Sequence, residues 1–117
     1  MAGVVTNAAL AWITGLVDTA LPAAAIQSGT GTTAPAGADT ALQTPVQARV
    51  GGLTKSRPKA TVLQLVGTIT YTAATAVTEV GLFVDATTGA MLQRHVFAVN
   101  NMAVNDSFVF TIEQEQL

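Results

Sequence analysis

The stretch from Ala76 to Val99, AVTEVGLFVDATTGAMLQRHVFAV, limits the possible folds more than any other part of this chain. Two apolar runs flank a turn-like segment, Asp85-Ala86-Thr87-Thr88-Gly89. In the second run Leu92, Arg94, Val96 and Ala98 alternate with Met91, Gln93, His95, Phe97 and Val99. A strand sends successive side chains to opposite faces, so this alternation fits a strand. Gly89 tolerates the positive φ that closes such a loop. The pattern predicts a β-hairpin that supplies central strands of a sheet.

The chain around it is unusually poor in charge. Half of its 117 residues are apolar and 10% are charged, against about a quarter in ordinary domains. A solitary molecule needs a charged surface to stay apart from its copies. Two accounts remain. Either other chains cover much of the surface, or neutral Ala, Thr, Gln and Asn keep a monomer soluble. The first is favoured, because large exposed apolar patches mark interaction sites. A net charge of −2 gives no general attraction to nucleic acid. No cysteine is present, so neither a disulfide framework nor a zinc–thiolate site is expected. The N-terminus lacks the basic start and apolar core of a signal peptide. No apolar run approaches the ~20 residues of a membrane helix. The expectation is a product made and first kept in a cytoplasm, without a membrane partner.

Toward the N-terminus Val5, Ala8, Ala9, Trp12, Ile13, Leu16, Val17 and Ala20 recur at helical spacing. A helix is expected from about Thr6 to Thr19, capped by Thr6 or Asn7, weakened at Gly15 and stopped by Pro22. Trp12 either anchors this helix on its own sheet or fills a pocket in a neighbouring subunit. Residues 22–45 are rich in Pro, Ala, Gly and Thr. Gly29 and Gly31 form a G-x-G, but neither a third glycine nor a Gly-Lys-Ser/Thr follows, so a phosphate loop is not supported. The segment reads as extended and irregular. A short strand over Ala24–Ser28 leads into it, and Asp39 and Thr40 open a turn through Leu42. So long an irregular stretch is understandable if it lies along a partner.

Arg49, Lys55, Arg57 and Lys59 supply four of the five cations. With Gly51, Gly52 and Pro58 among them, they read as a flexible loop or a hairpin tip. The choice is between a solvated loop and a grip on an acidic protein surface. Nucleic acid is not expected, because no aromatic residue interleaves the cations for stacking. From Ala60 to Tyr71 the pattern is strand again, with Thr61, Leu63, Leu65, Gly67, Ile69 and Tyr71 on one face. Gly67 marks a bulge or the close approach of another backbone. A last strand carries Phe108, Phe110 and Ile112 inward, and Glu113 to Leu117 reads as a polar tail.

Catalytic chemistry finds little support. His95, the sole histidine, has no second His or Cys with which to hold a metal and reads as a polar residue on a strand. Ser28, Ser56 and Ser107 sit in no nucleophile elbow. No carboxylate pair or triad pattern appears, so an enzyme is not expected. Glu79 and Arg94 lie inside the apolar runs of the hairpin and, counted outward from the turn, fall close together. They are expected to form a structural ion pair, or each to make contacts to backbone, with catalysis a remote third reading.

Three stretches taken together carry a resemblance. They are GTGTTAPAGADTAL at 29–42, VTEVGLFVDATTGAMLQRHVF at 77–97 and DSFVFTIE at 106–113. The combination resembles a group of small virion proteins of tailed bacteriophages, and the TEVGLF hairpin is also similar to segments near the N-termini of phage tail-fibre proteins. The resemblance implies a non-enzymatic virion component and carries over no catalytic residue, cofactor or metal. The expected architecture is a single mainly β domain: a small antiparallel sandwich or barrel-like fold. Its parts are a helical segment (1–21), an extended, loop-rich segment (22–58) and an antiparallel β region (59–117). The leading functional expectation is a capsid decoration, or cement, protein. It would assemble with itself, as a trimer, and with the major capsid protein through Trp12 and the basic residues Arg49, Lys55, Arg57 and Lys59. A tail, baseplate or fibre-adaptor subunit is the alternative. A glycan-binding module is remote, because Trp12, Tyr71 and His95 are scattered in the sequence.

Overall fold

A computed structural model describes residues 3–115. The elements run α1 (Asn7–Ala20), β1 (Ala25–Gly29), β2 (Pro45–Val50), β3 (Thr54–Lys59), β4 (Val62–Thr70), β5 (Thr75–Phe83), β6 (Met91–Met102) and β7 (Ser107–Glu115). They build two antiparallel sheets, one ordered β2-β1-β5-β6 and the other β3-β4-β7. The fold is a small β-sandwich with one N-terminal helix. Its core is formed by Ile26, Leu63, Leu65, Ile69, Val80, Leu82, Phe110 and Ile112, drawn from both sheets.

The helix starts where its cap dictates. The Thr6 side chain accepts the Ala9 N–H, and the ordered turns end at Leu21, just before Pro22. Of the residues at helical spacing, Val17 faces the core and Thr14 is fully buried, its hydroxyl turned back onto the Leu10 carbonyl. Trp12 points away and is 68% exposed. It therefore does not anchor the helix on its own sheet.

The hairpin of 76–99 forms as β5 and β6, with Gly89 at φ +88° in the connection. Only β5 is central; β6 is an edge strand. β5 is buried along nearly its whole length, as befits a strand covered on both faces. Val80 and Leu82 face the other sheet. Glu79, Gly81 and Phe83 alternate with them and lie on the opposite face. There Leu42 packs near Gly81 and the Arg49 guanidinium lies 3.7 Å from the Phe83 ring centre.

The loop-rich reading of 22–58 and the flexible-loop reading of the basic cluster need correction. That region supplies three strands, β1 to β3. Arg49 lies in β2, while Lys55, Arg57 and Lys59 lie in β3 of the other sheet. Gly51, Gly52 (φ +66°) and Leu53 carry the chain from one sheet to the other. Lys, Arg and Pro are poor strand formers in a sheet centre, but they are tolerated on an edge, where they block further pairing. The polar tail is also shorter than expected, because β7 continues to Glu115, which pairs with Val62; Gln116 and Leu117 lie outside the described residues. Gly67 sits in an unbroken ladder with β7 and is approached by the Ile26 and Leu53 side chains, so it marks neither a bulge nor a backbone contact.

Candidate functional site

The longest irregular segment, 30–44, is the loop of the β1–β2 hairpin, whose last pair is Gly29 with Pro45. It folds back onto the outer face of its own sheet as a compact loop with adjacent ends. What holds it there is a buried acid. Glu79, fully buried in β5, accepts the backbone N–H groups of Gly31, Gln43 (2.8 Å) and Thr44 (3.1 Å), and the Arg94 Nε (3.3 Å). A carboxylate has about four lone-pair positions, and all are used. Such a group has no capacity left to act as a general base.

Arg94, with a side chain 3% exposed, spreads its fork across the loop. Nε donates to Glu79, Nη1 to Asp39 (3.1 Å) and Nη2 to the Thr33 carbonyl (2.9 Å). The Asp39 carboxylate also accepts the Ala36 N–H, and that bond, followed by the Arg94 charge, holds its pKa below the usual carboxylate value. Gln43 Oε1 accepts the N–H groups of both Thr32 and Thr33, and the Thr78 hydroxyl donates to the Gly31 carbonyl. The loop thus hangs on three side chains of the β5–β6 hairpin: Thr78, Glu79 and Arg94. The expected Glu79–Arg94 pair is present. Its reach into 30–44 has no signature in local sequence, because the loop's N–H groups are anonymous until the fold brings them to the carboxylate.

Arg49, Lys55 and Arg57 are engaged with the rest of the chain. Arg49 donates to the Asp85 and Thr88 carbonyls and so holds the β5–β6 connection. Asp85 is itself kept below the usual carboxylate range, mainly by the Thr87 N–H and hydroxyl. Lys55 pairs with Asp18 of α1 at 3.0 Å, and Arg57 donates to the Ala11 and Ala60 carbonyls. Lys59 ends β3 on the surface. Arg49 fastens the turn to the sandwich, and Lys55 and Arg57 fasten the helix to it, Arg57 beside Trp12 at the Ala11 carbonyl. Trp12, Tyr71 and His95 are not brought together. Tyr71 is fully buried and bonded to the Ser28 hydroxyl (2.7 Å), whereas His95 is exposed and bonded to Gln93.

A feature missed at the level of sequence lies between β6 and β7. Phe97, Phe108 and Phe110 cluster there, the last two stacked with centroids 4.1 Å apart. They line an open groove of about 300 Å³, rimmed by His95 and Glu113. The alternation of Phe108 and Phe110 signalled an inward face; that the facing strand leaves it partly uncovered is a tertiary fact.

Among the described residues no cluster of His, Cys, Asp or Glu is arranged to hold a metal, and no helix is long and apolar enough to cross a membrane. Comparison with protein-family models yields no match, and comparison with curated proteins yields none.

Proposed function

We propose that this chain is a non-enzymatic structural subunit of a tailed-bacteriophage virion, a decoration protein that associates with itself and laps over the head shell. The observation that carries the reading is the exposed apolar surface of α1 and the segment before it, with Val5, Trp12 and Leu16 open to solvent on a chain with little charge to keep copies apart. Burial of such a face is worth roughly 25 cal/mol per Å² before the costs of association. Repetition around a shell then adds avidity without new contacts.

The resemblance gains weight from the clamp. The stretches that carry it, 29–42 and 77–97, touch one another through Gly31, Thr33, Asp39, Glu79 and Arg94. They are parts of one physical unit, so their joint occurrence has a structural reason. The satisfied state of Glu79 and Arg94 favours a scaffold over a reaction centre.

The test is the number of copies per particle in purified virions. A number matching the lattice of the shell supports head decoration. A small number matching the symmetry of the tail transfers the protein to a tail or fibre-adaptor role. Absence from particles overturns both.

A further inference from the structure

Among the described residues, the large hydrophobic residues left exposed fall into two groups. Val4, Val5, Trp12 and Leu16 lie on α1 or just before it. Leu92, Val99, Val104 and Val109 lie on β6, on β7 or on the connection between them. The first group is convex, a helix whose buried end is Leu21 and whose projecting end is the amino end, Val4 being 92% exposed. Of the second, Val109 lines the Phe97–Phe108–Phe110 groove, whereas Leu92 lines a separate depression beside Asp39 and Arg94. No residue of α1 lines that groove. The helix is tied instead to β3, on the opposite edge of the three-stranded sheet from β7.

The sheet edges show the same asymmetry. β3 is blocked by Lys55, Arg57, Pro58 and Lys59, and β2 starts with Pro45 and carries Gln47 at φ +64°. β6 and β7, the outer strands on the groove side, contain neither Pro nor Lys. Edges free of Pro and Lys beside an apolar groove are less blocked against another chain than β2 and β3.

From this pairing we infer that the groove is the seat for α1 of a second copy of this chain, with Trp12 of one molecule inserted against Phe97, Phe108 and Phe110 of the next. The electrostatics agree. The first turn of α1 has no acidic residue, so its amino end keeps the partial positive charge of a helix terminus, and the groove rim offers the Glu113 carboxylate. Donor and acceptor lie on different sides of one molecule, so the contact is head-to-tail. A single tryptophan-sized contact buries far less than the ~1,600 Å² of a standard stable interface. A closed ring, in which every helix and every groove is used, removes that weakness. The inference rests on the structural-subunit reading only for its setting, since the contact requires nothing but copies of the chain.

Trp12 is the sole tryptophan, so its fluorescence reports the contact directly. The purified wild-type chain is expected to sediment as an oligomer, with emission that shifts to the blue as concentration rises. Trp12→Glu destroys the helix donor, and Val109→Lys places a charge at the groove; both positions are exposed, so circular dichroism should be unchanged. Each variant alone is expected to be monomeric. Mixed at high concentration, they should form a one-to-one pair through one contact, weaker than the closed ring, because the first keeps a groove and the second keeps a helix. The blue shift of the Val109→Lys tryptophan on adding excess Trp12→Glu, which has no tryptophan of its own, reads that pair. A wild-type monomer, an oligomeric Val109→Lys, or a mixture without a shift overturns the inference. Because the assay contains no particles, its failure leaves the virion reading to be judged by copy number alone.

Discussion

Glu79 and Arg94 meet diagonally across the β5–β6 ladder. Glu79 is registered with Val96 and Arg94 with Gly81, yet the guanidinium Nε lies 3.3 Å from the carboxylate. A register shift between Val77 and Glu79 precedes the pair and places Thr78 where its hydroxyl reaches the Gly31 carbonyl. The diagonal leaves the rest of both groups free to hold the 30–44 loop.

Breaking this pair from one side is expected to be costly. Glu79→Gln keeps the shape but turns an amide N–H₂ toward backbone donors and leaves Arg94 buried without its counter-charge. Loss of one partner of a buried pair costs about 3–5 kcal/mol. Arg94→Met should cost a similar amount by exposing the buried carboxylate to the same deficit. Urea unfolding of both single variants and the double variant measures the coupling. The double variant should be less damaged than the sum of the two singles; strict additivity would mean that the two groups act independently.

Gly31 is a place where no side chain fits. A Cβ built there lies 1.9 Å from Glu79 Oε2 and 2.6 Å from the Gln43 Cβ. Gly31→Ala must push the loop off the carboxylate and is expected to destabilise by about 2–4 kcal/mol. Faster amide exchange in residues 30–44, with the inter-sheet core unchanged, is the expected signature. Gly37, with open space around it, is the control: Gly37→Ala should be near neutral. Equal effects at the two positions would refute the packing argument.

Tyr71 makes the fold less stable at high pH. Burial raises its pKa above the ordinary value of 10, partly opposed by the Ser28 hydrogen bond. The folded state therefore favours the neutral phenol. Its contribution is fully present below pH 10 and is lost as pH rises through the higher folded-state value. Tyr71→Phe should remove this alkaline loss, at the cost of about 1–3 kcal/mol for the buried Ser28 hydroxyl left without a partner. Denaturation midpoints of the two proteins across the alkaline range check it: the gap between them should narrow as pH rises.

Much of the sandwich was legible locally. The alternation of 91–99, the β-branched run of 61–71, the Thr6 cap and the Gly89 turn each state their structure within a few residues, because strand and helix periods are written in nearest neighbours. The basic strand β3 was not legible. Its residues oppose strand formation in general and are acceptable only at an edge, and edge position is a property of the whole sheet. The site divides in the same way. Two charges inside apolar runs announced an ion pair, but nothing near Gly31, Gln43 or Thr44 announced that their N–H groups would complete it.

The amino-acid order alone determined a cysteine-free, sparsely charged, mainly β chain with one capped helix and a hairpin that carries an acid and a base inside its apolar runs. Only the tertiary structure decided which surfaces are spent. It turned the loop onto its own sheet, used the cations as internal fasteners, and left Trp12 on one side and an aromatic groove on the other. The physical reason is one of range. Propensity and periodicity act between neighbours along the chain, whereas burial and hydrogen-bond satisfaction are settled between groups as far apart as Gly31 and Glu79, or Thr33 and Arg94.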